Sequence, residues 1–336
     1  MKYKVGMYGG CFNPLHLGHV NDIIIASNLC EKLYVVLSVT NDEKEIDHRE
    51  RLMWLKNITL EMDNIEVFEI FDTNTSKETY DWETGARDIK NYINKPIDVV
   101  FSGDDYKGRN IWEKLYPESE IYYISRRIVD ISSTEIRDNP FKYWEYLPNC
   151  VRPYYTKKVC VIGTESTGKT TLVRNLAKYF NTTHVEEAGR YICDDAGGID
   201  NMQPYHYFEI LFKHKQLEKE ASKNANKVLL VDTDSLITLY YYKLGFEGTN
   251  EINTTFEDLA TGISKLNNYD LYLFLEPDVE WIQDGTRTYG DQEVRENNNI
   301  KLKKIFNENN IKYISITGDY NERYLTAKTL IENIIK

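Results

Sequence analysis

A chain of 336 residues, 41% hydrophobic and 28% charged, is long enough for two domains with cores of their own and has the composition of an ordinary globular protein. A formal net charge of −12 excludes broad sequence-independent binding to nucleic acid, which needs a basic field, but not ATP, for which a few lysines and helix N-termini suffice. No run is long and apolar enough to span a bilayer, the start reads as a strand rather than a signal peptide, and Cys11, Cys30, Cys150, Cys160 and Cys193 show no close pairing; cytoplasm is the simplest compartment.

In chain order, Tyr3–Tyr8 reads as a first strand, followed by a turn bearing glycine and proline and a helix through Val20–Ala26. Leu33–Leu37 predicts a strand, Arg49–Leu60 a helix, Ile65–Phe68 a strand and Trp82–Ile93 a helix, before strands over Asp98–Ser102 and Glu120–Ile124. Apolar strands alternating with helices predict a parallel sheet covered on both faces. Pro148–Lys158, with two prolines and little periodicity, is the best boundary. Beyond it the pattern resumes with strands at Val159–Ile162, Lys227–Asp232, Tyr269–Leu275 and Ile311–Ile316, and a final helix over Arg323–Ile335. The 26 tyrosines are scattered without a repeat and read as half-buried filler.

Two segments carry chemistry, and they lie too far apart to serve one site. The first is Gly9-Gly10-Cys11-Phe12-Asn13-Pro14-Leu15-His16-Leu17-Gly18-His19, at the carboxyl end of the first strand, where ligands of open α/β sheets bind. Glycines let phosphate approach the backbone, the following helix offers unpaired N–H groups, and imidazoles there can donate to phosphate oxygens. In isolation, His16 and His19 would have a packing or capping explanation. Ile131-Ser132-Ser133-Thr134-Glu135-Ile136-Arg137 is a second patch whose hydroxyls can simply cap a helix. Arg137, however, is expected about one turn inside that helix, where a cation is unfavourable unless an anion such as a triphosphate is near. Trp82 has the chemistry to stack on an aromatic ring, although a core position is at least as reasonable, and Asp104 or Tyr106 can border a nucleotide. Arg49 and Arg51 read as a solvated helix face.

The second segment, Gly163-Thr164-Glu165-Ser166-Thr167-Gly168-Lys169-Thr170, fits GxxxxGK[ST] between an apolar strand and a helix, the context a phosphate-binding loop requires. Gly163, Glu165, Ser166, Thr167, Gly168, Thr170 and Thr171 are expected at the nucleotide, Lys169 at the β and γ phosphates, and the Thr170 hydroxyl at Mg²⁺. Asp232 emerges at the end of a strand beside this loop, where a carboxylate reaches magnesium or an acceptor hydroxyl; Asp234 either does the same or caps the next helix. Glu187 and Arg190 form another polar set, and Trp281, Asp284, Gly285 and Arg287 lie in a segment suited to a mobile lid, where an arginine could neutralise a transferred phosphoryl group.

The HxGH segment and Ile131–Arg137 resemble the two signatures of the nucleotidyltransferase superfamily that includes NMN adenylyltransferases. That resemblance implies that Gly9, Gly10 and Phe12 lie at the nucleotide, that His16 and His19 stabilise the transferring group, and that Ser132, Thr134 and Arg137 hold the β and γ phosphates. With the junction Ile136–Pro148 and the segments Phe180–Thr183, Glu187–Arg190, Val231–Asp234 and Trp281–Gly290, the whole chain resembles the NadR family, bifunctional NMN adenylyltransferase and ribosylnicotinamide kinase. The resemblance implies an α/β protein of two domains with mainly parallel sheets: a Rossmann-like adenylyltransferase over residues 1–150 and a P-loop kinase over 157–336. It implies Mg²⁺, ATP as co-substrate, and nicotinamide riboside and NMN as substrates. Asp232 would orient or deprotonate the 5′-hydroxyl, with Glu187, Arg190, Trp281 and Asp284 around the nucleoside.

Glu186 and Ala188 stand where the family pattern often has Trp and Tyr, a departure that would rearrange the nucleoside wall. Some relatives carry an amino-terminal helix-turn-helix repressor domain; a catalytic strand starting at Tyr3 leaves no room for it, so the bare two-enzyme form, without DNA as a partner, is expected. Two competing readings are a riboside kinase whose first domain only senses nucleotide, and a nucleotide-controlled interaction module near a nicotinamide riboside transporter. A homo-oligomer stays open.

Overall fold

The computed structural model describes residues 1–40, 45–72, 81–247, 254–279 and 292–336. It separates into two compact units, 1–151 and 152–336. In the first, β1 (Tyr3–Gly10), α1 (Leu17–Leu29), β2 (Cys30–Val39), α2 (His48–Ile58), β3 (Ile65–Phe71), α3 (Trp82–Ile93), β4 (Val99–Gly103), α4 (Ile111–Leu115) and β5 (Glu120–Ile124) precede the short α5 (Ser133–Asp138). The five strands are all parallel, in the order β3-β2-β1-β4-β5. The chain runs outward on one side of β1 and then crosses to β4 on the other, so the crevice at their carboxyl ends is the topological switch point where ligands of such sheets bind.

The second unit contains α6 (Arg152–Tyr155), β6 (Lys157–Gly163), α7 (Lys169–Tyr179), β7 (His184–Val185), α8 (Ala188–Asp195), α9 (Pro204–Ser222), β8 (Val228–Asp232), α10 (Ser235–Gly245), α11 (Thr254–Asn267), β9 (Leu271–Leu275), α12 (Gln292–Glu308), β10 (Ile314–Ile316) and α13 (Tyr320–Ile334). Its parallel strands lie in the order β10-β9-β6-β8-β7, with β6 at the centre. Every residue of Val228–Asp232 is buried, as expected for a central strand covered on both faces. Among the described residues no helix is long and apolar enough to cross a membrane.

Element ends differ from expectation where local backbone chemistry intervenes. Helix α1 begins at Leu17 rather than Val20 because His16 caps it with its own ring. Strand β8 starts at Val228 because Lys227 adopts φ 64°, outside the extended region. Strand β10 starts at Ile314, not Ile311, because the Ile311 N–H turns back to the Phe306 carbonyl (3.0 Å) after Asn310 takes φ 57°; this closes α12 with a left-handed cap.

Candidate active sites

The first site is built on the loop that leaves β1, and groups distant in sequence fix that loop by its backbone. The Arg51 Nη1 donates to the Cys11 carbonyl (2.8 Å), the Ser133 hydroxyl to the Pro14 carbonyl (3.0 Å), and the Arg137 Nη1 to the Asn13 carbonyl. The Asn13 side chain in turn accepts from the Ile46 N–H at 3.2 Å. Arg51 is therefore not on a solvated face: it is 1% exposed and also pairs with Glu45 at 3.0 Å. A buried guanidinium is tolerated only with such partners, and here those partners include the candidate nucleotide loop. Arg49 is exposed, as its helix position suggested.

His16 and His19 stack with ring centroids 3.7 Å apart, and the Phe12 ring meets His19 edge-on at 5.0 Å. Phe12 itself is buried with φ 47°. The His16 Nδ1 accepts from the His19 backbone N–H at 3.4 Å. An acceptor Nδ1 places the proton on Nε2, so His16 presents a neutral N–H donor. Burial, reinforced by the positive Arg126, lowers its pKa from 6.5 to about 4, which keeps it neutral at physiological pH. Gly18 is required beside this ring, because a Cβ there would lie 2.9 Å from the His16 Cε1.

These groups face a cavity of about 490 Å³. Its lining includes Gly9, Gly10, Phe12, His16 and His19 from the β1 loop and the start of α1, Ser132, Thr134 and Arg137 around α5, and Trp82 and Tyr106. Trp82 packs edge-on against Trp112 (5.4 Å) and Tyr106 (6.3 Å) and stays half-buried, so it is both core and wall. Asp104 is outside this lining; its carboxylate accepts the Arg126 N–H at 3.2 Å, which holds its pKa down. Ser132 and Glu135 form a reciprocal capping box, so the Ser132 hydroxyl has a structural duty. Arg137 corrects the helix-dipole expectation. Helix α5 spans only Ser133–Asp138, so Arg137 sits in its last turn, where a cation is favoured without any ligand. Arg109 and Arg126 also line the cavity; neither belongs to a motif, and only the fold reveals them.

In the second unit the loop from β6 to α7 owes its shape to two glycines. Gly163 (φ 148°) comes so close to β9 that a Cβ would lie 2.7 Å from the Leu275 carbonyl, and at Gly168 (φ 87°) one would lie 2.8 Å from the Tyr320 ring. The buried Lys169 donates to the Thr164 carbonyl at 2.8 Å, as does the Thr167 hydroxyl at 2.9 Å. Thr171 is exposed on α7. The Thr170 hydroxyl donates to the Asp232 Oδ2 at 2.5 Å, joining the loop to the end of β8. The Asp232 Oδ1 is buried and has no hydrogen-bond partner among the described residues. Burial and the negative Glu187 raise the Asp232 pKa; Lys169, the Thr170 hydroxyl and Arg190 oppose them. Glu187 and Arg190 therefore act on the same carboxylate, from the start and first turns of α8. Beneath it, the buried His214 Nε2 donates to the Asp232 carbonyl at 3.2 Å.

Asp234 is a cap: it accepts the Leu236 and Ile237 N–H groups at 3.0 and 3.3 Å and the Tyr272 hydroxyl at 3.2 Å. Glu186 is held by Arg174 at 2.6 Å and by Tyr191, while Ala188 is buried. Trp281, Asp284, Gly285 and Arg287 lie outside the described residues. No group of three or more His, Cys, Asp or Glu residues forms a metal site among the described residues. The hard-oxygen pair of Thr170 and Asp232 does suit Mg²⁺, which takes few protein ligands alongside phosphate and water.

Residues 7–139 match the cytidylyltransferase-like family and residues 158–323 the AAA domain family. The trifunctional NAD biosynthesis/regulator protein NadR of Escherichia coli strain K12 is 29% identical over 351 residues, covering 99% of this chain and 84% of that protein. Two crystal structures of NadR proteins, one in complex with NR and one with NAD and AMP-PNP, superpose with TM-scores of 0.82 and 0.81. Each is 21% identical and the match covers 99% of this chain and 96% of that one, a likeness that establishes the fold.

Proposed function

We propose, from the premise that this chain belongs to the NadR family, that its two units run consecutive reactions. It is a bifunctional enzyme of NAD salvage: it phosphorylates nicotinamide riboside with ATP and adenylylates the product to NAD. We assign the kinase to residues 157–336 and the adenylyltransferase to residues 1–150. The observation that carries this reading is the coexistence in one chain of a cavity lined by His16, His19 and Arg137 and a complete phosphate loop joined to Asp232.

In the first reaction the riboside 5′-oxygen attacks the γ-phosphorus of ATP, the bond to the β-phosphate oxygen breaks, and NMN and ADP result. Lys169 and the loop amides would hold the phosphates, and the Asp232 Oδ1 would accept from the 5′-hydroxyl. Thr170 and Asp232 would hold Mg²⁺, which neutralises phosphate charge when bound. Glu187 and Arg190, which act electrostatically on Asp232, would border the nucleoside. In the second reaction a phosphate oxygen of NMN attacks the α-phosphorus of another ATP, forming the new diphosphate bond and releasing pyrophosphate. The nucleophile is already an anion, so positioning and charge neutralisation suffice. His16, a neutral N–H donor, and His19 would face the transferring group; Arg137 and Thr134, the latter accepting from the Arg137 Nη2 at 3.2 Å, would face the departing phosphates. Trp82 and Tyr106 would pack on the NMN base.

The test is to supply purified protein with ATP and either riboside or NMN. Formation of NMN from the first and NAD from the second is expected; failure of nicotinamide riboside to accept phosphate while another nucleoside does would reject the kinase specificity.

A further inference from the structure

Arg323 belongs to none of the motifs, yet it is 2% exposed and uses its fork of donors on four partners. Its Nε donates to the Gly318 carbonyl at 2.8 Å, its Nη1 to the Thr167 carbonyl at 2.7 Å, and its Nη2 to the Glu276 carbonyl at 2.8 Å and to Asp278. Asp278 also accepts the Gly318 N–H at 2.8 Å. One guanidinium near the end of the chain thus joins the phosphate loop, the exit of β9 and the turn into α13. The contact with Thr167 has a stereochemical consequence. A trans peptide is planar with its C=O and N–H pointing in opposite directions. Holding the Thr167 carbonyl toward α13 therefore directs the Gly168 N–H to the other face of the loop. The Lys169 ammonium and the Thr167 hydroxyl hold the Thr164 carbonyl in the same way at the loop's other end. Tyr320 packs where a Gly168 Cβ would stand, so α13 touches the loop at this same peptide.

We propose that Arg323 is a positioning residue for the phosphates of the P-loop nucleotide, orienting the Thr167–Gly168 peptide so that the Gly168 N–H serves as a donor. The proposal rests on the kinase reading for its substrate but not for its nucleotide. Lysine at 323 keeps the charge but cannot span three carbonyls in one plane. In the full chain, Arg323→Lys raises the KM for ATP in riboside phosphorylation about tenfold, the equivalent of one well-made hydrogen bond, while the KM for riboside stays within about twofold. The ratio of the two KM values is insensitive to any loss of folded protein, so a destabilised variant still reports. Adenylyl transfer, measured on the same preparation, stays unchanged. Independently of any acceptor, hydrogen exchange across residues 163–172 during titration with Mg·ADP gives a protection midpoint that Arg323→Lys moves up by a similar factor. A KM ratio and a midpoint both less than about threefold from those of the unsubstituted protein overturn the proposal. Absence of riboside phosphorylation in the unsubstituted protein rejects the kinase reading and leaves the exchange result to decide the role of Arg323.

Discussion

The two candidate phosphate sites are wired differently. In the second unit the cradle is one contiguous turn: Gly163, Gly168, Lys169 and Thr170 lie within eight residues, and Asp232 arrives from the neighbouring strand. In the first unit the loop after β1 is shaped by residues about 40 and 120 positions away, through Arg51 to Cys11 and through Ser133 and Arg137 to Pro14 and Asn13. The second cradle takes its shape from a strand meeting a helix and from Arg323, 156 residues from Thr167, whose carbonyl it holds; the first forms only when α2 and α5 have docked. Both sites therefore depend on the fold of their units, but the second takes its glycines, lysine and hydroxyl from one turn, whereas the first is held together by residues distant in sequence.

Single substitutions in the two motifs should separate the reactions most sharply. Lys169→Ala is expected to lower riboside phosphorylation by about a thousandfold with adenylyl transfer intact, and His19→Ala to lower adenylyl transfer by about a hundredfold or more with phosphorylation intact. Steady-state rates of both half-reactions on both variants check this, and loss of both activities in either would erase the contrast. Asp232→Asn should remove most phosphorylation yet raise the thermal midpoint of the second unit. Burial and Glu187 lift the Asp232 pKa above its ordinary value, so the folded state binds the proton more readily than the unfolded one, and folding stability falls as pH rises through that interval. A neutral amide escapes that penalty; an unchanged or lower midpoint at neutral pH by calorimetry would contradict it.

The pH profiles should differ in a smaller way. On the proposed mechanism phosphorylation requires ionised Asp232 and should fail on the acid side above the ordinary carboxylate range. Neutral His16 persists down to about 4, so adenylyl transfer should hold through the same interval. The unfolded chain takes up the His16 proton below 6.5, whereas the folded one does so only near 4; the first unit should lose stability as pH falls between those values. Rates and urea midpoints from pH 8 to 5 test both statements. The smallest effect is expected from Trp82→Phe, which keeps an aromatic face against Trp112 and Tyr106: the KM for NMN rises about threefold to tenfold with kcat little changed.

What could be read from the chain follows the same division. The phosphate loop, the strand before it and Asp232 are legible because their chemistry is local and their spacing rigid. His16 and His19 were legible as a pair at the end of β1. Their stacking and the tautomer set by the His19 N–H arise only from the way the loop turns into α1. Arg51 reads as a surface residue because its helix is mostly polar; only the docking of α2 on the first loop buries it. Arg137 reads as misplaced against a helix dipole only if α5 runs on; Asn139-Pro140 ends it at Asp138, a signal that places Arg137 in the last turn. Arg126 and Arg323 act through the fold alone. For Arg323, the sequence predicts a helix beginning there, whereas α13 begins at Tyr320, and nothing in its pattern marks the loop toward which the first turn points.

The most direct test of two coupled sites is the product balance when the unsubstituted protein receives only nicotinamide riboside and ATP. With NMN consumed to completion, ADP and pyrophosphate should each equal NAD formed, one for one. NAD appearing without pyrophosphate, or ADP and NMN accumulating with no NAD while NMN supplied separately is also left unreacted, would contradict the account.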